Sequence, residues 1–295
     1  MFQPIPEISI CIPTYNQTKY LKKLLDSILI QTFTNFEIII SDDSSTDDVY
    51  DLISSYRHLF IDKITYVRNA KSLGPPTNWN NSISLAKGKW IKIMHHDDCF
   101  SSLNSLQFFF DLTLLNDSID FVYSGSFYIN SKNVRVNHSI DKNTFEYINK
   151  YPFSLFRGNL IGPPSAVMYK KKEIYFDPSL KWLVDIEFYY QYIFKTHSSN
   201  YTPEYLIESF IPEERVTNDC WMNKFVEVPE YLYCIHKHNI KSISVLKHIS
   251  DLFYKLGVYS KKDIQECGYS NKFPLSIFIL IFINRVSNKI KHIVK

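Results

Sequence analysis

Glycine is scarce: the 295-residue chain has 7, at positions 74, 88, 125, 158, 162, 257 and 268. No two of them form a G-x-G-x-x-G or a G-x-x-x-x-G-K-[ST] arrangement, which excludes a Rossmann dinucleotide loop and a P-loop as sequence motifs. The 5 cysteines (Cys11, Cys99, Cys220, Cys234, Cys267) are odd in number, scattered and without a C-x-x-C pair. That pattern fits neither a disulfide framework nor a zinc knuckle, and a reducing compartment is expected. Long apolar runs are missing too. The longest, Ile277–Ile283 with its flanks, is far below the ~20 residues that span a bilayer. The opening MFQPIPEIS has no basic residue before Lys19 and has prolines where an export signal needs an unbroken apolar core, so no signal peptide is expected.

What remains is ordinary globular material, 45% hydrophobic and 21% charged, which excludes disordered, collagen-like and coiled-coil classes. The length corresponds to about two domains at ~150 residues each. The net charge of +3 is uneven: from Cys267 to Lys295 there are basic residues (Lys272, Arg285, Lys289, Lys291, Lys295) and no Asp or Glu. The rest of the chain is therefore slightly acidic and offers no nucleic-acid-binding surface by charge.

The first hundred residues alternate strand-like and helix-like segments. Ile8–Pro13 is a short β-branched run, followed by a helical pattern at Tyr20, Leu21, Leu24, Leu25, Ile28 and Leu29. Phe36–Ser41 reads as a second buried strand. Ser44 followed by Asp47 resembles a capping box opening a helix with Val49, Leu52, Ile53 and Tyr56. Ile64–Val67 and Trp90–Met94 are further strands, separated by a helix carrying Trp79, Ile83 and Ala86. This βαβα order predicts a mostly parallel sheet with helices on both faces. Beyond it, Leu103, Leu106 and Phe110 indicate a helix and Phe121–Ser124 a strand. Phe127–Tyr151 is polar and gives no clear reading. Ser165–Tyr169 follows a loop with two prolines, and a helix is expected near Asp185 with Ile186, Tyr189, Tyr190 and Ile193 on one face. From about Asn218 the sequence is helix-prone and aromatic.

In open α/β sheets ligands bind outside the carboxyl ends of the strands, and acidic clusters fall there: Asp42 and Asp43, then Asp97 and Asp98. Asp47 and Asp48 suit the first turn of a helix. Asp97 and Asp98 follow His95 and His96 directly after an apolar strand, where a buried negative pair is costly without a cation. A hard divalent ion held by carboxylates and ligand phosphates is the economical explanation.

Taken in order, ISICIPTYN, FEIIISDDSSTDD and LGPPTNWNNSISLAKGKWIKIMHHDD, continued by NLIGPPSAVMYKKKE and WLVDIEFYYQYI to about Thr217, resemble the family 2 glycosyltransferases. The resemblance implies a GT-A, Rossmann-like α/β fold with a C-terminal helical extension. It divides the chain into a glycosyltransferase domain at 1–218, with a nucleotide-sugar half (1–98) and an acceptor half (99–218), and a helical region at 219–295. It implies a cytoplasmic enzyme that is metal-dependent and inverting, that takes a UDP- or GDP-sugar donor and a saccharide or lipid-linked acceptor, and that acts in surface polysaccharide assembly. Tyr15 would lie against the nucleotide base, with Pro13 and Asn16 shaping that wall. Asp43 would hydrogen-bond the base, with Asp42 its neighbour, and Asn78 and Asn80 could reach the donor. Asp97 and Asp98 match the ribose and metal pair, Asp98 holding Mn²⁺ or Mg²⁺, and Asp185 matches the catalytic base.

One departure stands out. Where relatives carry a histidine that helps hold the metal or diphosphate, this chain has Pro212. His236 and His238 are possible substitutes, more simply read as surface helix residues, and His95 and His96 read as supporting or structural rather than as ligands. The tail at 273–295 combines apolar residues (Leu275, Phe278, Ile279, Phe282) with basic ones and is expected to contact the cytoplasmic face of the inner membrane. Two rival readings are a sugar-nucleotide nucleotidyltransferase, against which residues 9–20 offer neither Gly nor Arg, and a catalytically silent partner protein.

Overall fold

A computed structural model of the protein describes residues 5–211, 219–271 and 275–293. The first half runs β1 (Ile8–Thr14), α1 (Thr18–Leu29), β2 (Phe36–Asp42), α2 (Asp48–Phe60), β3 (Ile64–Arg68), α3 (Pro75–Leu85) and β4 (Trp90–Ile93). These strands lie in the order β3-β2-β1-β4, all parallel, so their carboxyl ends share one edge. Every residue of β1, β2 and β4 is buried, which is what helices on both faces of a parallel sheet require and why these strands read as near-continuous apolar runs.

The second half adds β5 (Asp98–Phe100), α4 (Ser105–Leu114), β6 (Phe121–Ile129), β7 (Arg135–His138), α5 (Lys142–Lys150), β8 (Val167–Lys170), α6 (Val184–Thr196) and β9 (Ser199–Phe210). The sheet continues as β4-β8-β6-β9-β5, with β7 on β6, and gives 9 strands in all. Here β8 runs antiparallel to both β4 and β6, whereas β6 and β9 are parallel. The sheet expected to be mostly parallel is therefore parallel through its first half and mixed beyond it. The described residues continue through helices α7 (Lys224–Lys237), α8 (Ile243–Lys255), α9 (Lys261–Glu266) and α10 (Leu275–Ile293).

Side chains alternate between two cores. Ile8, Ile10 and Ile12 face a layer built from α1, α2 and α4, including Leu21, Leu24, Val49 and Phe109. Cys11, Ile39, Ile91 and Ile93 face the other way, onto Ile83 of α3, the aromatic side of α6, and the C-terminal helices through Val228, Leu232, Ile249 and Ile281. The C-terminal helices thus share a core with the sheet. Gly88 sits where the chain enters β4: a Cβ there would lie 2.7 Å from the Ser9 backbone nitrogen, so only glycine permits this approach.

Three local expectations are corrected. The capping box does not form, because the Ser44 hydroxyl accepts the Asn16 N–H (2.8 Å) and Asp47 makes no cap bond but pairs with Arg68. Leu103 precedes α4 and is exposed, since the helix starts only at Ser105. The stretch without a clear reading, 127–151, contains the end of β6, all of β7, and α5, capped by Asp141 through the Thr144 N–H (2.7 Å).

Candidate active site

At the carboxyl edge of the parallel strands, β1 runs into Pro13, Tyr15 and Asn16. Pro13 is buried, while Tyr15 is 53% exposed, a free aromatic face at the mouth of the edge. Asn16 has φ +51° and is pinned to the next loop, its side-chain oxygen accepting from the Ser45 N–H (3.1 Å).

Asp42 and Asp43 end β2 and are both buried. Asp42 accepts from the Ser44 N–H (2.9 Å) and the Tyr66 hydroxyl (2.7 Å). Asp43 accepts from Asn69 (2.7 Å), Ser72 (3.3 Å) and the N–H groups of Leu73 (2.9 Å) and Gly74 (3.0 Å), and so holds the turn that starts α3. Asn78 donates to the carbonyls of Ser41 (3.1 Å) and Thr14 (3.4 Å), tying α3 to the ends of β1 and β2. Asn80 grips both backbone groups of Phe176, at 2.7 and 3.0 Å. Both amides, considered above for their reach to a donor, are engaged by the chain itself in the structure.

Past β4 lies an acidic cluster with histidine. One ligand atom from each of His95, Asp97 and Asp98 lies within 4.8 Å of the others, the sole such group among the described residues. Burial and the neighbouring Asp97 push the Asp98 carboxyl up to about 8, against hydrogen bonds from Ser165 and Ser209 that favour its charged form. Burial holds His95 down to about 4. His96 is also lowered by burial, and its ring donates to the Pro13 carbonyl, joining β4 to β1. A carboxylate that burial disfavours, beside a second carboxylate and a neutral imidazole, is a donor set that a divalent cation satisfies. Beneath it, Lys92 is fully buried, with its ammonium on the carbonyls of Ser165 and Val167 and 4.2 Å from the Phe109 ring centre.

Asp185 lies in the first turn of α6, where Leu183, not Asp185, occupies the cap position. It has no hydrogen-bond or ion-pair partner among the described residues, and burial alone raises its carboxyl to about 7. The helix N-terminus would lower it, so desolvation wins. Tyr189, one turn on, lies within the field of both Asp185 and Asp98, and its hydroxyl donates to the Gly162 carbonyl (3.0 Å). Both carboxylates thus lie near enough to Tyr189 to act on it. The entry to α6 is held by Glu230 of α7, whose carboxylate accepts the N–H groups of Lys181 (2.8 Å), Trp182 (2.9 Å) and Leu183 (2.9 Å).

The remaining candidates fall elsewhere. His238 is a correction: its Nε2 lies 2.8 Å from buried Glu187, which also takes Lys237 at 2.7 Å, so it joins α7 to α6 rather than serving the cluster. His236 is exposed. Pro212 lies outside the described residues. Ser165, Ser209, Trp79 and Glu230 were not singled out from the sequence. A buried serine beside Gly-Pro-Pro and a glutamate inside an apolar helical stretch were the signals available.

The carboxyl edge of the parallel strands thus carries buried Asp42 and Asp43 and the His95–Asp97–Asp98 cluster, and α6 adds the partnerless Asp185. Residues 9–173 match the family described as glycosyl transferase family 2, and the chain belongs to that family. It is 44% identical over 108 residues to abequosyltransferase RfbV of Salmonella typhimurium, a match that spans 35% of this chain and 32% of that protein. It is 27% identical over 263 residues to the uncharacterized glycosyltransferase MJ1057 of Methanocaldococcus jannaschii, spanning 86% of each. Among solved structures, S. aureus TarS in complex with UDP-GlcNAc superposes with a TM-score of 0.63 at 16% identity, covering 87% of this chain and 74% of that one. The mannosyltransferase PcManGT from Pyrobaculum calidifontis, in complex with GDP-Man and Mn²⁺, gives 0.56 at 14% identity, covering 94% and 68%. These likenesses establish the GT-A fold, and family membership displaces the nucleotidyltransferase reading.

Proposed function

We propose that the chain transfers a sugar from a UDP- or GDP-linked donor to a hydroxyl of a saccharide or lipid-linked acceptor, inverting the anomeric carbon, in surface polysaccharide assembly. The observation that carries this is Asp185: a carboxylate without a hydrogen-bond or ion-pair partner among the described residues, raised by burial to about 7, and acting on the same Tyr189 as Asp98 does. A base of that kind takes the proton from the acceptor hydroxyl as its oxygen attacks C1 and the nucleoside diphosphate leaves.

On the donor side, Tyr15 offers its face to the base above Pro13 and Asn16. Asp42 and Asp43, with Asn78 tied to the ends of β1 and β2, keep the base pocket in shape, Asn80 fixes α3 to Phe176, and Asp97 meets the ribose. Mn²⁺ or Mg²⁺ held at Asp98 would neutralise the departing diphosphate. The abequosyltransferase relative and the UDP-GlcNAc and GDP-Man complexes of the two neighbours support a nucleotide-sugar donor. The exposed apolar side of α10, described below, supports a peripheral position on the cytoplasmic face of the membrane, where a lipid-linked acceptor is met.

Thermal unfolding with a panel of UDP- and GDP-sugars, with and without Mn²⁺, tests the donor. A ligand at 100 times its Kd stabilises by about 2.7 kcal/mol. Stabilisation by one donor, dependent on metal and lost in Asp98→Ala, is expected. Metal-dependent binding that is undiminished in Asp98→Ala would remove Asp98 from the centre.

A further inference from the structure

We infer that His95 supplies a nitrogen ligand to the divalent ion, so that the centre is a mixed imidazole–carboxylate site built from His95, Asp97 and Asp98. This rests on the reading above that the cluster takes such an ion.

Three observations meet at this ring. A nitrogen of His95 and oxygens of Asp97 and Asp98 are mutually within 4.8 Å, which is coordination range for one cation between them. Neither ring nitrogen has a hydrogen-bond partner among the described residues, and Nε2 is shielded from solvent. Three other partly buried histidines are satisfied: His96 by the Pro13 carbonyl, His138 by the Leu160 carbonyl (3.0 Å), and His238 by Glu187 (2.8 Å). An orphaned polar ring in a native interior calls for a cause, because leaving it unpaired costs about 1–3 kcal/mol.

The ring is also held in place, as a ligand must be. Its centre lies 4.4 Å from that of Trp79, which in turn meets Phe176 edge-on at 5.0 Å. Its backbone N–H donates to the Ser165 hydroxyl (2.9 Å), the same hydroxyl that bonds Asp98. One serine therefore sets the spacing of two of the three donors.

A nitrogen donor has a consequence for the choice of ion. Mg²⁺ demands oxygen ligands, whereas Mn²⁺ and later divalent metals accept imidazole, so His95 biases the centre away from Mg²⁺.

Pulsed electron paramagnetic resonance of the full chain with Mn²⁺ alone, then with UDP or GDP added, reads the ligand directly. Nitrogen-14 modulation is expected for the wild type. It should vanish in His95→Ala, with Mn²⁺ affinity weakened by about ten-fold or more. His95→Asp guards against a packing artefact: it should keep Mn²⁺ without modulation and bind Mg²⁺ relatively better. Mn²⁺ bound at Asp98 with no nitrogen coupling, or with coupling that persists in His95→Ala, overturns the inference while leaving the metal reading intact. Failure of the wild type to bind Mn²⁺ at all overturns both.

Discussion

Asp98 and Asp185 are carboxylates that burial pushes in the same direction, and their company assigns them opposite tasks. Asp98 is crowded by Asp97 and by donors that favour its charged form, which suits the proposed cation site. Asp185 has none of these, so it is free to accept a proton. Its folded-state pKa of about 7, above the ordinary 3.8, means that the folded chain holds a proton which the unfolded chain has released. Stability therefore falls as pH rises through that window and is level above it. Asp185→Asn removes the penalty. Its gain in Tm over wild type should grow from about pH 4 to pH 7 and then stop, while turnover drops roughly 10²–10⁴-fold with donor binding kept. Near-wild-type transfer by this variant would return Asp185 to a structural role. Glu187 is no substitute base, because His238, Lys237 and Gln191 hold its carboxyl down. The carboxylates were legible in the sequence because each stands in a local motif at a strand or helix end. Their surroundings were not: Ser165 and Ser209 bond Asp98 from far along the chain, Glu230 of α7 holds the backbone that leads to Asp185, and nothing local marks a serine or glutamate for such a contact.

At the scale of elements, the parallel half followed from sequence because each strand is a short apolar run flanked by an amphipathic helix. The other half followed in part: α4, β6, β8 and α6 stand where the sequence points to them, whereas β5, β7, α5 and β9 were not read. β5 has 3 residues, too few for any periodicity, and β9, with 12, carries its polar and apolar residues without a clean alternation. Its pairing with β6 shifts register around Gly125, so no single period could describe it. The joint between α7 and α6 was equally invisible, yet it determines where Asp185 stands. Glu230→Gln keeps the volume but replaces one acceptor oxygen with a donor, leaving at least one N–H at the α6 entry unpaired. A stability loss of about 1–3 kcal/mol is expected, with a fall in kcat and little change in donor KM. If kcat is untouched while Tm drops, Glu230 only stabilises the fold.

For the molecule as a whole, α10 presents two unlike sides. Ile277 and Ile281 are buried toward α8, and Asn284 bonds Ser250 (2.9 Å) and Asp251 (2.7 Å). Leu275, Phe278, Ile279, Phe282 and Ile283 are exposed, and the chain beyond them is basic without a single acid. No helix among the described residues is long and apolar enough to cross a membrane; under the peripheral position proposed above, this side would lie on the membrane surface. Ile279→Glu with Phe282→Glu should abolish co-sedimentation with anionic liposomes without lowering Tm, and salt should weaken the wild-type association. Equal sedimentation of variant and wild type would show that this side meets something other than lipid.

The grip of Glu230 on residues 181–183 also orders events in time. During synthesis the parallel sheet and its nucleotide edge emerge first and, being built largely from neighbouring segments, can fold while the rest is still being made. The segment leading into α6 lacks its partner until α7 has left the ribosome. Under the function proposed above, a nascent chain would then recognise a sugar nucleotide before it can transfer anything from it, and Asp185, the proposed base, is set only once α7 has been made.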